Sequence, residues 1–154
     1  MTVMTDFNAE EWSTLVEAPL FAGMRVAAAE RGGTIRESLA AARTYADARR
    51  HQGESEFVDA ITSWAPALDA RQLQETGGDI AGHARRRIDQ AVALVDAKAA
   101  PQEAAAYKRF VLTVAEAAAN ANREGGFIGI GGKPVSADEQ AALDDIRRTL
   151  SAQP

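Results

Sequence analysis

The sequence predicts an all-α protein, and three observations carry that prediction. Alanine is in excess, with triplets at 27–29, 40–42, 104–106 and 117–119, and it is the residue that loses least on entering a helix. Capping signatures, a small polar residue followed three positions later by Glu, stand at Asn8–Glu11, Thr34–Glu37 and Ser136–Glu139. Period-2 alternation and long β-branched runs, the marks of strands, are missing. At 154 residues, 46% hydrophobic and 25% charged, the chain suits a single domain spanning 1–154 that buries a real core. Residues 1–6 and 151–154 are expected to fray. The spacing of starts and stops predicts a bundle of about six to seven helices.

The first helix opens at Asn8, which can cap, with Glu11 at its third position and Phe7 and Trp12 placed for a hydrophobic staple. Trp12, Leu15, Val16, Pro19, Leu20, Gly23, Met24 and Ala27 then share one face at helical spacing. Pro19 has no N–H and crowds the carbonyl of Leu15, so a kink or break is expected near Glu17–Ala18. Gly32-Gly33 is the expected stop. Thr34 starts a second helix with a thin apolar face (Ile35, Leu39, Ala42, Tyr45, Ala46), and its end at Arg49, Arg50 and His51 suits the helix dipole.

A short helix over Glu54–Ala65 is expected to turn Phe57, Val58, Ile61 and Trp64 inward, and Pro66 begins another short segment, Ala67–Glu75. The next helix, about Ile80 to Ala99, aligns Ile80, Ala84, Ile88, Ala91, Val92 and Val95. Pro101 reads as the first residue of the helix after it. That helix carries the cleanest stripe of the chain: Tyr107, Phe110, Val111, Val114, Ala118 and Ala121. Leu143, Ile146 and Leu150 anchor a last helix opened by Ser136.

Between the last two helices, Glu124 to Glu139 holds five of the twelve glycines together with Phe127, Ile128 and Ile130. A loop this apolar is expected to close over one end of the core. If Phe127 is a core residue, Phe127→Ala costs about 3–5 kcal/mol; if it waits in solvent, stability stays within about ±0.5 kcal/mol. The two chain ends also share a plan: an alanine-rich helix, a Gly-Gly pair and a capping-box helix. This suggests two pseudo-repeated helix–loop–helix halves.

Glu124-Gly-Gly-Phe-Ile-Gly-Ile-Gly-Gly followed by Val135-Ser136 and Glu139, together with Glu11-Trp12 through Glu17-Ala18-Pro19, resembles the two ends of a family of short, uncharacterised bacterial helical proteins. More remotely, the halves resemble the TerB-like tellurite-resistance family, whose loops carry Asp-Gly before a capping-box helix. The resemblance implies a helical, stress-related domain with an acidic ion site. Here Glu124-Gly125 stands in place of Asp-Gly, and the loop is much longer.

No motif in the chain supplies catalytic machinery. A phosphate loop fails because Phe127 and Pro134 occupy positions that need Gly and Ser/Thr. The dinucleotide fingerprint fails because a helix precedes the glycines and the third glycine is missing. Without cysteine there is no disulfide or thiolate site, and no Gly-x-Ser-x-Gly elbow occurs. The chain is therefore read as a non-enzyme with no cofactor.

For a divalent ion the candidates are Glu124, Asp138 and Glu139; for a small ligand beneath the glycine loop, Trp12, Tyr107, Glu124, Phe127 and Ile130. The net charge of −5 argues against nucleic acid, and Arg85, Arg86 and Arg87 fan over about 200° of a helix instead of forming a stripe. With no leader-like N-terminus and no apolar run of membrane-spanning length, a cytoplasmic protein is expected. Its expected partner is another protein or a second copy, packed through alanine-rich faces.

Overall fold

The computed structural model describes residues 3–29, 55–64, 79–124 and 136–151, with the backbone alone at 27 and 121–124. Every regular element among them is helical: α1 (Ala9–Ala27), α2 (Glu56–Thr62), α3 (Ile80–Lys98), α4 (Pro101–Glu124) and α5 (Ala137–Ser151). The expected helices over Thr34–His51 and Ala67–Glu75, and the glycines at 32–33 and 125–132, lie outside the described residues. Within the stretch expected to fray, Met4–Asp6 form a 3-10 turn, and Lys98 Nζ donates to the Asp6 carbonyl at 3.3 Å.

α1 is the central helix. Residues 14–23 are buried without a break, so the helix is enclosed on all sides and does not present one wet face. α3 and α4 cover most of it, α5 closes another side, and α2 packs on α4 and α1. The start of α1 is as the sequence predicts. Asn8 Oδ1 accepts from Glu11 N and Glu11 Oε2 accepts from Asn8 N, both at 2.9 Å. Phe7 and Trp12 approach to 6.0 Å between ring centroids. The break expected near Glu17–Ala18 is corrected: α1 runs on through Pro19 to Ala27. The donor that Pro19 cannot give to Leu15 is replaced from α4, where the Tyr107 hydroxyl donates to the Leu15 carbonyl at 2.8 Å.

α2 is shorter than expected and starts at Ser55, whose hydroxyl accepts from Val58 N. Phe57 and Ile61 are buried and Val58 is half-buried, but Trp64 is not a core residue. It lies past the helix end and is 49% exposed, which corrects its inward assignment. In α3, Asp79 caps through Gly82 N at 2.9 Å, and Gly82 leaves room for that carboxylate. Ala84, Ile88, Ala91, Val92 and Val95 are buried as predicted. α4 begins at Pro101 and buries Tyr107, Phe110, Val111, Val114 and Ala118. α5 buries Leu143, Ile146 and Leu150.

Ion pairs join the helices at their rims: Arg25–Asp145 at 3.6 Å, Lys108–Asp96 at 2.7 Å and Arg147–Glu116 at 3.1 Å. Half-exposed pairs of this kind contribute about 0–1 kcal/mol each. The buried apolar side chains between the helices hold the bundle together more strongly than these pairs do.

Candidate functional site

Two of the sequence-predicted binding residues are brought together, inside the core. Trp12 and Tyr107 flank Phe57, with ring-centroid distances of 6.2 and 6.1 Å, and Phe7 stacks on Phe57 at 5.7 Å. Trp12 is 3% exposed and Tyr107 fully buried. Each meets Phe57 within the core. The third residue, Glu124, ends α4 seventeen positions after Tyr107, about 25 Å along a continuous helix. One small pocket cannot touch both. Phe127 and Ile130 lie outside the described residues.

Of the expected metal ligands, Glu139 is committed to its helix. Its Oε2 accepts from Ser136 N at 2.9 Å, Ser136 Oγ accepts from Glu139 N at 3.1 Å, and the side chain is buried. Asp138 is exposed. Asp144 bonds Gln140 and Arg147, and Asp145 pairs with Arg25. Among the described residues no group of three or more His, Asp or Glu side chains could hold a metal ion. His83 packs its ring on Phe21 at 4.8 Å.

The feature that sequence reading missed is an open cleft of about 540 Å³ along the seam of α1 and α3, lined by Glu10, Glu11, Ser13, Thr14, Arg87, Gln90, Ala93 and Leu94. Its first wall is the opening of α1, fixed by the Asn8–Glu11 capping box. Its second is one face of α3, where Arg87, Gln90 and Leu94 recur at three- and four-residue spacing.

At one end of the cleft, Arg87 Nη1 donates to Thr14 Oγ1 at 3.3 Å, and Nη2 stands 3.5 Å from Glu17 Oε2. Ser13 Oγ donates to the other Glu17 oxygen at 2.8 Å. At the opposite end Lys98 Nζ contacts Glu11 Oε2 at 2.6 Å and lies 5.6 Å from the Phe7 ring centroid. The Lys98 contact, helped by the Asn8 N–H and opposed by partial burial, holds the Glu11 carboxyl below its ordinary value. From sequence Arg87 is only one of three arginines that fan around its helix. Its partners are 73 and 70 positions away, beyond any local signal.

Compared with protein families, curated proteins and solved structures, the chain matches none of them. Nothing in those comparisons or among the described residues supports catalysis. No helix among the described residues is long and apolar enough to cross a membrane.

Proposed function

We propose that this chain is a non-catalytic cytoplasmic domain that works by binding another protein, with a second copy of itself as the first candidate partner. One observation carries the reading. Trp64 is 49% exposed, whereas the other described phenylalanines, tyrosines and tryptophans (Phe7, Trp12, Phe21, Phe57, Tyr107 and Phe110) are all at most 7% exposed. A tryptophan ring left in water forgoes the burial its neighbours gain, and tryptophan dominates the energetics of protein contacts when a partner covers it.

We place the contact at the end of α2 and not on the alanine-rich faces expected from sequence, of which the one over Thr34–His51 lies outside the described residues. Ala104, Ala115, Ala118 and Ala119 of α4 are buried within this chain, so their close packing is already used by the domain's own helices. The reading therefore rests on the end of α2.

Light scattering at micromolar concentration is the direct test. A dimer that Trp64→Ala converts to a monomer of unchanged melting temperature is the expected result. A wild-type chain that stays monomeric at every concentration removes the self-association reading.

A further inference from the structure

The cleft between α1 and α3 carries two recognition groups of opposite charge, and they are not equally engaged. Arg87 has five N–H donors in a rigid fork. Thr14 takes one from Nη1, and Glu17 Oε2 forms an ion pair with Nη2 at 3.5 Å, so both terminal nitrogens are held. The side chain remains 32% exposed and lines the cleft. A guanidinium held in this way matches a carboxylate better than a freely rotating lysine does. Glu17 offsets part of that attraction, which limits the affinity without removing the geometry.

The acidic group available to a ligand is Glu10. Its side chain lines the cleft, is exposed, and has neither an ion pair nor a hydrogen bond among the described residues. Glu11 beside it is already neutralised by Lys98. Glu10 lies one turn before Thr14, the residue that holds Arg87, and one turn spans about 5–6 Å. Two residues of extended peptide span about 7 Å. In the same lining, Leu94 and Ala93 offer an apolar wall, and Gln90, one turn from Arg87, offers an amide that can both donate and accept.

We infer that this cleft binds a short unblocked peptide of two to three residues, its carboxylate on Arg87, its ammonium at Glu10 and an apolar side chain against Leu94. The open, solvated setting sets the expected Kd on the order of 1 mM. This inference is independent of Trp64 and of any dimer, since it uses neither.

The test is an NMR titration of the full chain with the dipeptide Ala-Leu and with its N-acetylated and C-amidated forms. Ala-Leu is expected to shift backbone amides at 10–14 and 87–94 saturably, and each block to weaken binding about fivefold or more. In Glu10→Gln, an exposed and isosteric change, acetylation is expected to have no further effect, while amidation still weakens binding. That pattern separates recognition of two charges from loose apolar contact. No saturable shift up to about 10 mM, shifts confined to other residues, or blocked forms that bind as well as the free dipeptide would each overturn the inference. The readout on wild-type protein with altered ligands does not depend on whether any Arg87 variant folds.

Discussion

The Tyr107 hydroxyl donates to the Leu15 carbonyl at 2.8 Å, and that carbonyl is the one Pro19 leaves without its helical donor. Both groups are buried. A proline inside a helix costs about 3 kcal/mol when nothing compensates for it, and here α4 supplies the missing hydrogen bond while packing on α1. Tyr107→Phe strands the carbonyl and is expected to destabilise the fold by about 1–3 kcal/mol, measured by denaturant melts. In a Pro19→Ala background the helix regains its own N–H, so the same tyrosine change is expected to cost less. Equal costs in both backgrounds would show that the two residues are not coupled.

The two tryptophans are expected to report opposite environments. Trp12 is 3% exposed and Trp64 49% exposed. In Trp64→Phe the remaining emission is expected to be blue-shifted and poorly quenched by iodide, and in Trp12→Phe red-shifted and readily quenched. A protected Trp64 in the wild-type protein at high concentration, becoming accessible on dilution, would be the signature of the proposed partner contact.

Trp12 also carries a buried indole N–H with no acceptor among the described residues. Trp12→Phe removes that donor along with part of the ring volume, so the two effects oppose each other. Trp12→Ala loses the ring outright and is expected to cost about 3–5 kcal/mol. The phenylalanine variant should retain well over half of that difference, as read from denaturation midpoints. A phenylalanine variant as unstable as the alanine one would mean that the N–H has a partner after all.

The Glu11–Lys98 contact predicts an acid-sensitive component of stability. Glu11 sits below its ordinary pKa of 4.5, chiefly because of Lys98. A depressed carboxyl stabilises the fold above the unfolded-state value and loses that contribution as pH falls through the folded value. Melting temperature is therefore expected to drop below about pH 4.5, and Glu11→Gln to flatten part of that drop by melting lower than wild type at pH 6–8, where the contribution is fully present, and converging with it in acid. An identical acid limb in the variant would assign the effect to other carboxylates.

What could be read from sequence, and what could not, divides by distance along the chain. The caps at Asn8 and Ser136, the Phe7–Trp12 staple and the N-terminal proline of α4 depend on residues three to five positions apart, and all are found where predicted. The continuity of α1 through Pro19 depends on Tyr107, which lies 92 positions from Leu15. The cleft depends on Arg87 meeting Thr14 and Glu17 across a helix pair. Trp64 follows the period of α2 in sequence, but the helix ends at Thr62, so the extrapolated face no longer applies. Local propensity fixes where helices start; it does not say which side chain from a distant helix will arrive.

The capping box at the start of α5 separates a structural role for Glu139 from a metal-binding one. Ser136 and Glu139 exchange hydrogen bonds with each other's backbone N–H groups, and Glu139 is 1% exposed. Ser136→Ala removes one bond and is expected to cost about 1 kcal/mol, within the range for lost caps. Glu139→Ala should cost more, because it also empties a buried volume and unpairs the Ser136 N–H. Glu139→Gln retains an oxygen acceptor and nearly the same shape, and is expected to recover most of that loss. These differences should be the same with millimolar calcium or magnesium present as with chelator. If the cation stabilised the wild-type chain and Glu139→Gln abolished that gain, the carboxylate would be a ligand, and its burial would have to be relieved on binding.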